Sequence, residues 1–142
     1  MQDKVRNGRC ECGNLRFAVR GEPVHVHACT CTACQRSTGS VMSYSAWFPE
    51  AAVTIEGDYT VHHHRGAEHP DRYRCFCPTC GTGRFFRSGA AFPDTIGFAV
   101  GSFADPDYAS NLPAPRFVLY WDNRPAWLGK PEGVPVRAEA EE

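Results

Sequence analysis

The sequence predicts a mainly β fold, and three observations predict it. Apolar residues fall in short bursts, each bounded by Gly, Pro, Asn or Asp. No window of about a dozen residues carries a sustained helical apolar period. The 13 glycines and 11 prolines would interrupt most long helices.

The bursts are read in chain order. Leu15 to Val19 is the first strand, following Asn14 and closed by Gly21. At most a short helix is expected after Cys34. Tyr44 to Phe48 ends at Pro49, and Val53 to Ile55 ends at Gly57-Asp58. Thr95 to Val100 closes at Gly101. Leu112 to Pro115 then brings in the last strand, Phe117 to Trp121. After Trp127 the sequence Gly129-Lys130-Pro131-Glu132-Gly133 loosens towards Ala138-Glu139-Ala140-Glu141-Glu142. Residues 1–128 therefore read as a single domain and 129–142 as a loose acidic C-terminal tail.

A chain of 142 residues is of a size to bury a modest core, so metal or covalent cross-links would help it. Net charge is −1, and no Lys/Arg run reaches the roughly five or six residues of a nucleic-acid or membrane-surface patch. Nucleic acid and membrane are thus not expected partners. The segment Met1 to Arg9 lacks the apolar core of a signal peptide, and no apolar stretch approaches the ~18 residues of a spanning helix. The expected location is cytoplasmic. Reducing compartments keep thiols free, so closely spaced cysteines there signal metal binding or redox chemistry rather than disulfides.

The eight cysteines form three groups: Cys10-x-Cys12-Gly13, Cys29-x-Cys31-x-x-Cys34, and Cys75-x-Cys77-x-x-Cys80-Gly81. A two-residue gap lets both sulfurs of a tight turn reach one tetrahedral ion at ~2.3 Å, and a following Gly supplies the backbone angles the turn needs. Zinc takes four ligands in a closed structural site and three protein ligands, with an open fourth position, where it does chemistry. Eight cysteines can be divided either way. Cys10 and Cys12 cannot close a tetrahedron unaided, and Cys77 and Cys80 are the natural donors of the other two sulfurs. Cys29, Cys31 and Cys34 then remain as three thiolates with a fourth position for water or an incoming thiol.

The pattern Gly8-x-Cys10-x-Cys12-Gly13-x-Leu15-Arg16-Phe17, Cys29-x-Cys31-x-x-Cys34-Gln35-Arg36-x-x-Gly39-Ser40 and Phe76-Cys77-x-x-Cys80-Gly81 resembles the glutathione-dependent formaldehyde-activating enzyme and centromere protein V family. Val100-Gly101-Ser102-Phe103-x-Asp105-Pro106 and Arg124-Pro125-Ala126-Trp127 resemble its closing segments. The resemblance implies a small β-tent of two or three antiparallel sheets with two zinc ions. It implies that Cys10, Cys12, Cys77 and Cys80 hold a structural ion and that Cys29, Cys31 and Cys34 hold a catalytic one. The implied activity is that of a carbon–sulfur lyase, forming or cleaving S-hydroxymethyl adducts of a small thiol such as glutathione with a small carbonyl. Two positions depart from the family. Many members carry His or Asn where this chain has Thr30, and members often carry a His where it has Val118.

Several residues have more than one reading. Cys75 is a small buried residue, a redox-sensitive spare thiol, or a fourth ligand closing the second ion. Arg36 and Ser37 either meet a carboxylate of a peptide-like thiol or are solvated. Trp47 and Phe48 wall a pocket or fill a core. His62, His63 and His64 alternate faces if extended and cannot share one ion, whereas His25 and His27 can share a strand face. The rival to the enzyme is a non-catalytic zinc-stabilised module that binds a partner or buffers metal.

Overall fold

Alternation of outward and inward side chains defines the N-terminal hairpin. β1 (Val5–Arg9) and β2 (Arg16–Arg20) turn Arg6, Gly8, Phe17 and Val19 inward and leave Arg9, Arg16 and Arg20 exposed. The computed structural model describes residues 4–65, 71–89, 92–103 and 113–138. Asp105-Pro106, Leu112 and the acidic end 139–142 lie outside the described residues.

The remaining elements are β3 (His25–Cys29), α1 (Thr32–Thr38), β4 (Ser43–Pro49), β5 (Val53–Glu56), β6 (Thr60–His64), β7 (Arg72–Phe76), β8 (Phe85–Ser88), β9 (Phe92–Ala99) and β10 (Val118–Leu119). Short 3-10 turns cover Glu50–Ala52, Val100–Phe103 and Trp121–Asn123. The protein is mainly β, with sheets of three and seven strands. No helix among the described residues is long and apolar enough to cross a membrane.

Two compact units emerge from the contacts, one of residues 1–24 and 46–112, the other of 25–45 and 113–142. In the first, β1, β2 and β5 form an antiparallel sheet, and β6, β7, β8 and β9 are joined by antiparallel ladders. Its core is aromatic. Phe17 lies against Phe98 with ring centroids 4.4 Å apart and meets Phe103 edge-on at 5.2 Å. Arg6 is buried within β1, donating to the Gly21 carbonyl at 2.7 Å and pairing with Glu22 at 3.1 Å. Those partners make an inward guanidinium tolerable. Trp47 and Phe48 are core residues, at 3% and 0% exposure, rather than pocket walls.

In the second unit β10 runs parallel to β3, so the antiparallel rule expected from the sequence holds for the ladders just described and not for this pair. A strand that returns after a long excursion is free to enter parallel, which a tight hairpin cannot do. Ala28, Val118 and Trp121 form the apolar cluster there, packed by Met42, Leu128, Val134 and Val136. Val134 and Val136 belong to the stretch read as a loose tail. The Val118 N–H donates to Pro135 O and the Arg137 N–H to Val118 O, both at 2.9 Å.

Candidate metal centres

The first centre is built by two backbone turns. Cys10 follows β1; its N–H donates to Leu15 O at 2.9 Å, and its sulfur accepts the Leu15 N–H at 3.3 Å. Cys77 follows β7 and repeats the device: its N–H donates to Thr82 O at 2.9 Å, and its sulfur accepts the Thr79 N–H at 3.4 Å. Gly81, at φ +76, closes that turn as its position after Cys80 led us to expect. Thr82 ties the turns together, accepting the Glu11 N–H at 2.8 Å while its hydroxyl lies 3.2 Å from the Cys80 sulfur.

The four sulfurs of Cys10, Cys12, Cys77 and Cys80 all lie within 4.8 Å of one another. Cys10 and Cys12 are separated by 3.5 Å and Cys12 and Cys77 by 3.7 Å. A tetrahedron with ~2.3 Å metal–sulfur bonds has edges of about 3.8 Å, so the donor set fits a zinc-sized tetrahedral ion. These separations are far from the ~2.05 Å of a disulfide, and all eight cysteines are free thiols.

Four thiols this close cannot all ionise unless a cation compensates them. The Thr82 hydroxyl, helped by the backbone of Cys12 and Thr82, pulls Cys80 down to about 5. Cys12 is pushed up to about 12: the Asn14 backbone lowers it, but burial and the thiols of Cys10, Cys80 and Cys77 outweigh that. A divalent ion would supply the missing compensation, and binding it would release protons.

Gly83 shows how tightly the first centre is packed. At φ +74, it would place a β-carbon 2.7 Å from Cys10 Cβ and 3.0 Å from Cys10 Cα. Gly83→Ala combines left-handed strain with that clash, so it is expected to lower stability by about 2–4 kcal/mol. Chemical denaturation of the zinc-loaded variant measures this; an unchanged midpoint would contradict it.

The second centre spans the exit of β3 and the start of α1. Cys31 is the N-cap of α1, its sulfur accepting the Cys34 N–H at 3.3 Å. The helix thus begins before Cys34 rather than after it, and carries Cys34 on its first turn. Cys29, Cys31 and Cys34 are buried, with their sulfurs within 4.8 Å of one another and Ala33, Leu119 and Tyr120 packed against them. Cys29 is raised by the neighbouring thiols of Cys31 and Cys34 and then by burial. Cys31 is raised as well: Cys29 lowers it, while Cys34 and burial outweigh that.

Cys75 belongs to neither sulfur group. It is 2% exposed on β7 opposite Val61 and Phe85, and burial pushes its thiol up to about 11. That environment is that of an inert buried thiol. Val118 fills the apolar cluster of β3 and β10.

The other singled-out residues belong to neither sulfur group. Arg36 is exposed at the end of α1, and the Ser37 hydroxyl donates to Cys34 O at 3.2 Å. His25 and His27 share a face of β3, with ring centroids 4.7 Å apart. His62, His63 and His64 lie on β6, with His63 stacked on Tyr73 at 4.3 Å. No histidine joins a metal-ligating group among the described residues. Sequence reading missed Thr82 and Gln35, which serve the centres through hydroxyl and amide contacts. Their signals were nearness to Cys80 and Cys34 and, for Gln35, its place in the family pattern after Cys34.

Fold and donor sets together define a mainly β protein with two cysteine clusters that could each hold a metal ion and are compatible with zinc. The sequence profile of the glutathione-dependent formaldehyde-activating enzyme family matches residues 5–123. The chain belongs to that family. Among solved structures, it resembles the crystal structure of a Rhodobacter sphaeroides protein at 21% identity and a TM-score of 0.52. That likeness covers 75% of this chain and 97% of the other, and it shows the fold. Arg124-Pro125-Ala126-Trp127 lies beyond the matched range.

Proposed function

We propose that the protein is a zinc-dependent carbon–sulfur lyase of the cytoplasm that forms or cleaves S-hydroxymethyl adducts of a small thiol, glutathione foremost. The observation that carries this reading is the inequality of the two centres. One gathers four sulfurs and the other three, with no further His, Cys, Asp or Glu joining the three among the described residues. Cys10, Cys12, Cys77 and Cys80 would hold a structural zinc. Cys29, Cys31 and Cys34 would hold the catalytic one.

A zinc ion bound there supplies Lewis acidity and keeps a thiol deprotonated near neutral pH. The chain's own residues present the three sulfurs from the end of β3 and the start of α1, with Ala33, Leu119 and Tyr120 packed against them. In the net reaction a carbon–sulfur bond forms between thiol and carbonyl carbon, the carbonyl π bond breaks, and the sulfur's proton ends on the carbonyl oxygen. Cleavage is the reverse.

Exchange NMR with ¹³C-formaldehyde and glutathione tests the reading. The zinc-loaded protein is expected to accelerate adduct exchange above the spontaneous rate, saturably in thiol. A protein with both ions bound that accelerates no small thiol would be a non-catalytic zinc module instead.

A further inference from the structure

We infer that Thr30 and Gln35 are positioning residues for the three-thiol centre, fastening the Cys29-Thr30-Cys31 turn so that the sulfurs converge before any ion arrives. The inference rests on the reading that this centre holds an exchangeable zinc.

Thr30 lies between two of the three ligands and is 0% exposed. Its N–H donates to Leu119 O at 3.0 Å, and its hydroxyl is directed at Leu119 O and Tyr120 O. Its carbonyl accepts the Gln35 side-chain amide at 2.8 Å. The same Gln35 nitrogen donates to Asn123 O at 2.9 Å, which exhausts the two protons an amide nitrogen carries. One side chain therefore bridges the cysteine turn to the 3-10 turn Trp121–Asn123.

The helix already fixes Cys31, through its N-cap bond, and Cys34, through its first turn. Cys29 ends β3, in register with Leu119 of β10, so the Thr30 linkage between strand and helix is the freedom that remains, and it is what this clamp removes. Were that linkage loose, the end of β3 and the start of α1 could shift against each other and the three sulfurs would spread. Holding them together in advance strengthens ion binding, and residues that orient metal ligands typically account for about 10–100-fold in affinity. The Thr30 hydroxyl is thus spent on the backbone of β10 and Tyr120.

The test is cobalt(II) titration of the full chain with the four-thiol centre kept zinc-loaded, following thiolate-to-cobalt absorption and the visible d–d bands. Gln35→Met keeps the bulk of the side chain and removes both donors; Thr30→Val removes the hydroxyl, and Thr30→Ser restores it. Gln35→Met and Thr30→Val are expected to bind cobalt about 10–100-fold more weakly, with altered d–d bands. Far-UV circular dichroism and the retained zinc should be unchanged, and Thr30→Ser should match the parent. Parent affinity and parent spectrum in Gln35→Met would overturn the inference even if Thr30→Val failed to fold. A parent chain that takes up no exchangeable cobalt would sink the three-thiol reading itself, and this inference with it.

Discussion

Cys77→Ser is expected to abolish cooperative folding. Cys77 is 1% exposed, and its sulfur lies 3.7 Å from that of Cys12, a partner 65 positions away in the sequence. Through this contact the N-terminal hairpin is joined to the end of β7. Structural zinc in small domains contributes apparent binding free energies of roughly 10–16 kcal/mol, expressed as folding free energy. Whole domains are stable by only about 5–15 kcal/mol. If these four cysteines hold zinc, losing one of them would weaken a contribution comparable to everything that holds the chain folded. Thermal unfolding followed by circular dichroism, with zinc analysis alongside, should show no sigmoidal transition and loss of metal. A variant that melts with the parent's midpoint would contradict the structural role of this centre.

Cys31→Ser should do the opposite, preserving the fold while abolishing the exchangeable ion and the activity. The three sulfurs come from six consecutive residues, so an ion held there would cross-link no distant parts of the chain. Ala28, Val118 and Trp121 hold the surrounding unit by apolar burial. Serine is, moreover, among the best N-cap residues, and its oxygen can accept the Cys34 N–H that the Cys31 sulfur now accepts. Helix α1 should therefore survive. Adduct exchange is expected to fall to the spontaneous rate with an unchanged melting midpoint. Loss of folding in both serine variants would count against the division of labour between the centres.

The two sulfur groups could be read from the sequence because short gaps and a following glycine constrain which sulfurs of one turn can meet; the link from Cys12 to Cys77, 65 positions away, followed from counting the ligands each ion needs. The strands that read as apolar bursts were equally accessible. β1 and β3 were not, because their inward positions carry Arg6, Gly8, His27 and Cys29, whose burial depends on partners elsewhere. Helix α1 begins earlier than expected because a cysteine sulfur does the capping usually done by Ser, Thr, Asp or Asn. The parallel pairing of β10 with β3 and the bonding of Pro135 and Arg137 to Val118 are long-range features, which local pattern does not encode. Thr30 reads as a departure from the family in sequence; in the structure it is a bonded anchor.

Metal content per chain, measured before and after a mild chelator, tests the central claim most directly. Two zinc ions should be present at the start, with one removed while the other remains and the protein stays folded. A single ion held by all preparations, or two ions lost together as the chain unfolds, would contradict the distinction between a saturated four-sulfur centre and an open three-sulfur one.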